Sequence, residues 1–438
     1  LAATFSDKQA GDEFFRMVQK QVPLADDPLI DNFINKLGYK LASYSDAPQD
    51  PFHFFVIKSG VINAFAGPGG YIGVYGGLIA ATKSESELAG VMAHEIAHVT
   101  QDHLQRGSDR MSNLTIPAIA AMVAGVATGN PQIAIGSIAG VTAGAAQYSI
   151  NVTRSYEEEA DSIGIEILAK AGFNPYGMAD FFEKLQEKSR YDSQPPPILM
   201  DHPVTQQRIA QARERAKKLN KKKDYHSSPS YYLIKARVIA QLSQDPMRLL
   251  SYAKNHVKKH PSSPYAQYLL ALAYSNDRDY QSAQDILAPL AKADPLQIIY
   301  AYTQAQVAYL AKDYDGASAY LKDAYENSTD FYPVIVFYGL ALMRDDQSQK
   351  AQSLLEKYQR TYADDADFWF LLSKVYAAND NLSDAYLARA KAYEIQGNDK
   401  TAMVQLQMAQ KQPNQNDFTK SIIQAGINQL KNKMARKS

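Results

Sequence analysis

The C-terminal half of the chain repeats itself every 34 residues. The positions that share this step are Ala283, Ala317, Ala351 and Ala385, and twelve residues before each of them the small residues Ala271, Ala305, Gly339 and Ser373. A unit of this length cannot bury its apolar face alone, so it must stack on its neighbours. Small residues at fixed positions let two helices approach closely. The period therefore predicts an all-α array of helical pairs.

This pattern resembles the tetratricopeptide repeat family, which is built from helical pairs of the same period. Residues 230–263 are expected to form a degenerate first repeat, because Arg237 and Leu249 stand where the other repeats carry small residues. In residues 386–411 the pattern recurs after half of the 34-residue period, so one helix is expected to serve two overlapping units. About five helical hairpins would result. The resemblance implies an all-α solenoid over residues 230–438 that binds other proteins.

The first half of the chain differs in composition. A short β-rich segment at residues 52–79 lies among helical patterns, and a polar, lysine-rich stretch over residues 217–229 separates this half from the repeats. Such a stretch is typical of a linker. We therefore predict an N-terminal domain over residues 1–216, a linker over 217–229 and a repeat domain over 230–438.

Composition limits the kind of site that the N-terminal domain can hold. The chain has no cysteine, which excludes a cysteine nucleophile, thiolate-bound zinc and disulfides. Lys plus Arg and Asp plus Glu both number 46, so the chain has no overall positive field that would attract nucleic acid. We expect no nucleic-acid partner, and any catalytic metal must be held by histidine and carboxylate.

The segment from Glu85 to His98 contains the pattern HExxH. His94 and His98 are four residues apart on a predicted helix, so both imidazoles leave the same face one turn apart and can bind one ion. Glu95 lies beside them and off the line of the ligands. This is the position of a base that acts on a metal-bound water. The segment therefore predicts two metal ligands and a catalytic base.

A second predicted helix supplies a third ligand. Glu157 and Asp161 are again four residues apart and share a face. A catalytic zinc commonly has three protein ligands, often two histidines and a glutamate, and keeps one position open. We predict one Zn²⁺ per chain, bound by His94, His98 and Glu157. Asp161 can accept the free ring N–H of a ligating histidine and fix its tautomer.

An HExxH pattern followed about 60 residues later by ExxxD resembles the zinc peptidase family of HtpX and the CAAX prenyl endopeptidase. Asp201–Ile209 also reproduces that family's HPxxxxR pattern. The resemblance covers residues 50–210. It implies an α+β zincin domain of the gluzincin type, zinc-dependent endopeptidase activity and Glu95 as the catalytic base.

The histidine and arginine of the third pattern are His202 and Arg208. The resemblance implies that both are catalytic, because in the family these residues help bind substrate and stabilise the tetrahedral oxyanion. A histidine on a loop can instead occupy the open position of the zinc and hold the enzyme latent. A purely structural role is the third alternative.

Residues Asn63, Ala64, Phe65 and Ala66, which precede a glycine-rich turn, resemble the family's edge strand. An exposed strand edge binds an extended peptide through backbone hydrogen bonds, with little preference for sequence. We therefore expect these four residues to bind substrate.

The remaining histidines carry no ligand pattern. If the first helix continues, His103 points roughly 140° away from the ligand face, so we expect it to be solvated. Glu158 and Glu159 are expected to be solvated too. His53, His226, His256 and His260 are interpreted as ordinary residues.

The most apolar stretch, residues 114–146, lies between the two ligand helices. Gly129–Pro131 breaks it into pieces of about 16 residues, each shorter than the roughly 20 that a spanning helix needs. We expect a lid or a core hairpin, and peripheral membrane contact is the alternative. The chain starts at Leu1 without a leader pattern, so we expect a mature form whose signal peptide was removed.

A zinc peptidase domain followed by tetratricopeptide repeats is similar to a group of bacterial periplasmic proteases. The resemblance implies a periplasmic location and unfolded or misassembled outer-membrane proteins as substrates. It also implies that the repeats contact the β-barrel assembly machinery and assist assembly. The alternative is a non-proteolytic chaperone or adaptor that acts through the repeats and carries a latent or vestigial peptidase site.

Overall fold

The computed structural model describes residues 5–108, 116–128, 143–191, 196–221, 224–413 and 415–435. The chain divides into two compact units, Leu1–Asp277 and Arg278–Ser438. The first unit contains the only sheet in the described residues, and the second is helical. The predicted order of an α+β domain followed by an all-α repeat array is confirmed.

The first unit has three strands, thirteen α-helices and one short 3-10 helix, Pro68–Gly70, in its described part. The strands are β1 (His53–Ile57), β2 (Ala64–Ala66) and β3 (Tyr71–Tyr75). The helices are α1 (Phe5–Gln21), α2 (Pro28–Ala42), α3 (Gly76–Ala81), α4 (Glu85–Thr100), α5 (His103–Ser108), α6 (Ile116–Ala127), α7 (Ala143–Lys170), α8 (Gly177–Tyr191), α9 (Ile198–Asp201), α10 (Gln206–Leu219), α11 (Pro229–Leu242), α12 (Pro246–Lys259) and α13 (Pro264–Asn276).

The sheet has the order β1-β3-β2. Strand β3 is central and pairs parallel with β1 and antiparallel with β2, where Phe65 lies opposite Gly73. All five residues of β3 are buried, as expected for a strand with a partner on each side. Strand β2 is an edge strand of this sheet and also packs against α4. The edge therefore lies next to the helix that carries the HExxH pattern.

The first apolar piece, α6, packs on α1 and the sheet. Ala120 and Val123 are buried in a cluster with Phe14 and Tyr75. The Tyr75 hydroxyl donates a hydrogen bond to the Val123 carbonyl over 3.0 Å. These contacts agree with a core position for this piece, whereas most of the second piece, including residues 133–142, lies outside the described residues. Among the helices that the structure describes, none is both long and apolar enough to cross a bilayer.

Helices α4 and α7 form the centre of the first unit. Ser84 caps α4 by accepting a hydrogen bond from the Glu87 backbone N–H, and most of the helix is buried. Gly164 permits a close approach of α7, because a Cβ there would lie 3.1 Å from the backbone nitrogen of His94. Glu157 precedes Gly164 by seven residues, or two helical turns, and so lies on the same face of α7.

Helices α11 to α13, which the sequence assigns to the repeats, pack within the first unit. Arg237 of α11 is buried, and its Nη2 lies 2.7 Å from Oδ2 of Asp27, the residue that caps α2. Arg237 also donates a hydrogen bond to the Tyr268 hydroxyl of α13. The division into compact units therefore falls after α13. The linker over residues 217–229 stays a prediction of where the repeats begin.

The second unit consists of consecutive helices. These are α14 (Tyr280–Ala293), α15 (Ile298–Leu310), α16 (Tyr314–Asn327), α17 (Tyr332–Arg344), α18 (Ser348–Glu356), α19 (Ala366–Ala378), α20 (Leu382–Ile395), α21 (Asp399–Gln410) and α22 (Asp417–Ala435). The alanines of the 34-residue period at positions 283, 317, 351 and 385 are buried, as the spacing predicts.

The end of the repeat region agrees with the prediction that one helix serves two overlapping units. Helix α20 packs on both α19 and α21. It buries Ala385 of the 34-residue period and also Ala390, which precedes the buried Ala402 of α21 by twelve residues. Gly397, with φ of 72°, turns the chain after α20, and Asn398 caps α21. The number of hairpins, about five, stays a prediction.

Candidate metal centre

Four side chains converge in the first unit, and each offers one ligand atom. They are His94 and His98 of α4, Glu157 of α7 and His202, which follows α9; their ligand atoms all lie within 4.8 Å of one another. Nε2 of His94 and Nε2 of His98 are 3.0 Å apart, and each lies 3.4 Å from the Glu157 carboxylate. The structure thus brings the three predicted ligands together and adds His202 to them.

The side chains of this cluster influence one another's ionisation strongly. Burial lowers the pKa of His94, but Asp161 and Glu157 outweigh it and raise this pKa to about 10. Burial lowers the pKa of His98 to about 3. Burial also opposes ionisation of Glu157, yet the three histidines hold its pKa far below the usual range. A carboxylate that stays ionised among imidazoles is a suitable donor set for a divalent metal.

Glu95 is the most deeply buried acid of the site, with 1% of its surface exposed. Neither carboxylate oxygen has a hydrogen-bond partner in the described part of the chain. Oε1 lies 3.7 Å from Nε2 of His202. Burial raises the pKa of Glu95, against the opposing effect of His202 and His94. A buried carboxylate left without a protein partner beside a ligand cluster is suited to accept a proton from water.

Asp161 connects the cluster to Arg208. Its Oδ1 lies 3.0 Å from Nδ1 of His94, but the two atoms do not have hydrogen-bond geometry, so its role in fixing the His94 tautomer stays a prediction. Arg208 of α10 is buried and donates two hydrogen bonds to Asp161, from Nε over 2.7 Å and from Nη2 over 2.8 Å. Nη1 lies 3.0 Å from Glu157 Oε2 and donates to the Pro203 carbonyl. The guanidinium therefore contacts carboxylates, and its predicted role as an oxyanion donor stays a prediction.

His202 is held against the same cluster by its loop. Its Nδ1 lies 3.0 Å from Glu157 Oε1 and 3.4 Å from His94 Nε2. The preceding residue, Asp201, accepts a hydrogen bond from the Asn63 amide over 3.0 Å. The segment that carries His202 is thus attached to the residues that lead into β2.

The four predicted substrate-binding residues lie at β2, but they differ in what their side chains do. Asn63 precedes the strand and is buried, and its amide contacts Asp201 and the backbone N–H of Ala64. Ala64 is buried, and Phe65 packs edge-on against Phe14. The Ala64 N–H thus already has an acceptor, and only Phe65 and Ala66 of this strand are half-buried. Substrate binding there stays a prediction.

The expectation that His103 is solvated is wrong. The side chain is buried, with Nδ1 2.9 Å from His98 Nδ1 and Nε2 3.0 Å from Glu159 Oε2. Glu159, also expected to be solvated, is only about a third exposed. The error arose because α4 ends at Thr100 and Asp102 adopts a φ of 52°, which turns the chain back beneath His98. Asp is one of the few residue types that tolerate this left-handed conformation, so an Asp at this position is the sequence signal that the helix ends here.

Comparisons with known proteins identify relatives of this chain. The model of the family described as "Peptidase family M48" matches residues 28–216. The "Beta-barrel assembly-enhancing protease" of Escherichia coli strain K12 is 34% identical over 435 residues, covering 97% of this chain and 88% of that protein. The "Putative beta-barrel assembly-enhancing protease" of Vibrio cholerae is 34% identical over 398 residues, covering 89% and 81%.

The likeness of the chain to solved structures is weaker. One is described as "YrrB: a TPR protein with an unusual peptide-binding site", with 20% identity and a TM-score of 0.32, covering 40% of this chain and 89% of that one. The family assignment rests on the peptidase match and on the two long, 34% identical relatives. The chain therefore belongs to peptidase family M48 and is a metalloprotease.

Proposed function

We propose that the chain is a zinc-dependent endopeptidase in which His94, His98 and Glu157 hold the Zn²⁺. The observation that carries this proposal is the convergence of these residues next to the buried, unpartnered carboxylate of Glu95. Two imidazoles and a carboxylate, without sulfur, are a common donor set of catalytic zinc. When bound, the zinc lowers the pKa of water and polarises a carbonyl oxygen. Glu95 accepts the water proton and delivers it to the leaving amine.

We further propose that the substrates are unfolded or misassembled outer-membrane proteins in the periplasm, and that the repeats contact the β-barrel assembly machinery. Three observations support this. Relatives of nearly the same length are named beta-barrel assembly-enhancing proteases. The edge strand β2 packs against α4, which carries the catalytic residues, and pairing through backbone atoms suits unfolded chains of many sequences. The repeats form helical pairs of a kind used for protein binding.

The substrate proposal predicts that the zinc-loaded full chain cleaves an unfolded outer-membrane β-barrel protein much faster than the same protein folded in detergent micelles. Strand pairing at β2 requires an extended segment, which a closed barrel does not offer. Gel-based degradation assays with and without a chelator measure both rates. Equal rates for the two forms would contradict selection of unfolded chains. Capture of the unfolded protein without cleavage would favour the chaperone alternative.

For Arg208, the contacts support a positioning role. Its guanidinium ties Asp161, which faces His94, to Glu157, so it orients two metal-site carboxylates at once. Removing it would leave buried negative charge without compensation. For His202, the short contacts with Glu157 and His94 support the latent arrangement, in which it occupies the fourth metal position.

We therefore expect His202→Ala to raise the rate of peptide hydrolysis, because the fourth position becomes open to water and substrate. A fluorescent unfolded peptide gives the rate at matched zinc content. His226→Ala is the matched control, since His226 is exposed and lies outside the cluster. A fall of about 10²–10³-fold in His202→Ala would instead assign His202 to oxyanion stabilisation.

A further inference from the structure

The second ring nitrogens of the two α4 histidines face different groups. His94 faces a carboxylate directly, since its Nδ1 lies 3.0 Å from Asp161. His98 faces another imidazole, because its Nδ1 lies 2.9 Å from Nδ1 of His103. The carboxylate nearest to this pair of rings is that of Glu159, which contacts His103 and not His98. Nothing in the HExxH and ExxxD patterns points to this second arrangement.

The metal-binding role of His98 determines which atom donates in its hydrogen bond with His103 and in that of His103 with Glu159. Nε2 of His98 is the nitrogen that points into the cluster, 3.0 Å from His94 Nε2, so it must keep a free lone pair for the metal. The ring proton of His98 is then on Nδ1, which donates to Nδ1 of His103. The proton of His103 must therefore be on Nε2, which lies 3.0 Å from the Glu159 carboxylate, an acceptor. The ring N–H of His98 and the ring N–H of His103 therefore each have an acceptor.

We propose that His103 is a positioning residue that, anchored by Glu159, fixes the tautomer and ring orientation of the metal ligand His98. The inference rests on the ligand set proposed above. His103 cannot ligate the metal itself, because it lies on the Nδ1 side of the His98 ring, opposite the nitrogen that faces the cluster. Partners of this kind orient metal-bound histidines and increase their basicity.

The packing around His103 supports a fixed role. Its ring stacks on Tyr156, with centroids 4.5 Å apart and planes inclined by 15°. Arg106 lies over the same tyrosine, 4.8 Å from its centroid, and its Nη1 is 3.3 Å from Glu159 Oε2. Tyr156 precedes the ligand Glu157 directly. The stack therefore holds the His103 ring in the plane that its two hydrogen bonds require.

Two substitutions at His103 separate hydrogen bonding from packing. His103→Asn places an amide oxygen where Nδ1 stands, so it can still accept the proton of His98. His103→Leu keeps a buried apolar volume but removes the acceptor. We expect His103→Leu to lower Co²⁺ affinity by about 10–100-fold, and His103→Asn, which keeps the acceptor for His98 but loses the contact with Glu159, to lower it less. Competition with a chromophoric chelator on the full chain measures the affinity.

The visible absorption of bound Co²⁺ gives a second readout that does not depend on activity. His103→Leu should change this spectrum, because a rotated His98 ring alters the ligand field, and His103→Asn should preserve it. Glu159→Ala, at a partly exposed position, should lower affinity in the same direction without a core substitution. Wild-type affinity and spectrum in both His103→Leu and Glu159→Ala would overturn the inference, and so would equal losses in His103→Leu and His103→Asn. A wild type that binds no Co²⁺ would overturn the proposed ligand set instead.

Discussion

Replacing Glu95 by glutamine should reduce peptide hydrolysis by about 10²–10⁴-fold, the range that a general base contributes. Glutamine has nearly the same shape as glutamate but cannot accept the proton of the attacking water. Both oxygens of Glu95 lack a hydrogen-bond partner in the described residues, so the substitution breaks no hydrogen bond and weakens only the 3.7 Å contact with His202. The variant should therefore retain its metal and its fold while it loses activity.

The measurement is degradation of an unfolded β-barrel polypeptide by the wild type and by Glu95→Gln at matched zinc content. Glu87→Gln is the control on the same helix, because Glu87 is also buried but bonds Lys184 over 2.6 Å. It should lower thermal stability and leave activity per folded molecule unchanged. Unaltered cleavage by Glu95→Gln would remove Glu95 from the mechanism, and inactivity of the wild type as well would favour the chaperone alternative.

Glu157→Gln should lower zinc affinity by more than the 10–100-fold that is typical of substituting the partner of a ligand. Glu157 contacts all three histidines of the cluster and Arg208, and it supplies the one carboxylate among the proposed ligands. An amide oxygen carries no charge, so the site loses the negative charge that attracts a dication. Proteolysis should be lost together with the metal.

Chelator competition on the full chain measures this affinity, and excess zinc should restore part of the activity. The neighbouring Glu158→Gln is the matched control, since Glu158 is exposed and lies outside the cluster. It changes the net charge equally and should bind zinc as the wild type does. If Glu157→Gln bound zinc as tightly as Glu158→Gln, Glu157 would not be a ligand.

The metal cluster could be predicted from the sequence because local geometry determines most of it. Residues four apart on a helix share a face, so His94 with His98 and Glu157 with Asp161 could be paired before any fold was known. The 34-residue period likewise predicted the buried alanines of the repeats. In both cases the spacing along one element carries the information.

Contacts that depend on where an element ends could not be predicted in the same way. The position of His103 follows from the end of α4 and the positive φ of Asp102, and helix ends are poorly determined by propensity. The contacts of Arg208 with Asp161 and Glu157 depend on how α10 packs against α7. The pair of Asp27 with Arg237 joins residues 210 positions apart, and no local pattern encodes such a pairing.

The burial of α11 and α13 in the first unit changes where the chain can be divided. A fragment that ended at the linker would lose Arg237, the buried ion-pair partner of Asp27, and would expose to water the surface of α2 that α11 covers. It would also lose the hydrogen bond that Tyr231 donates to the Thr82 carbonyl. Inactivity of such a fragment would report a damaged peptidase core and not the absence of a partner-binding surface. A truncation after Asp277 tests the repeats more directly, because the first unit then keeps α11 to α13.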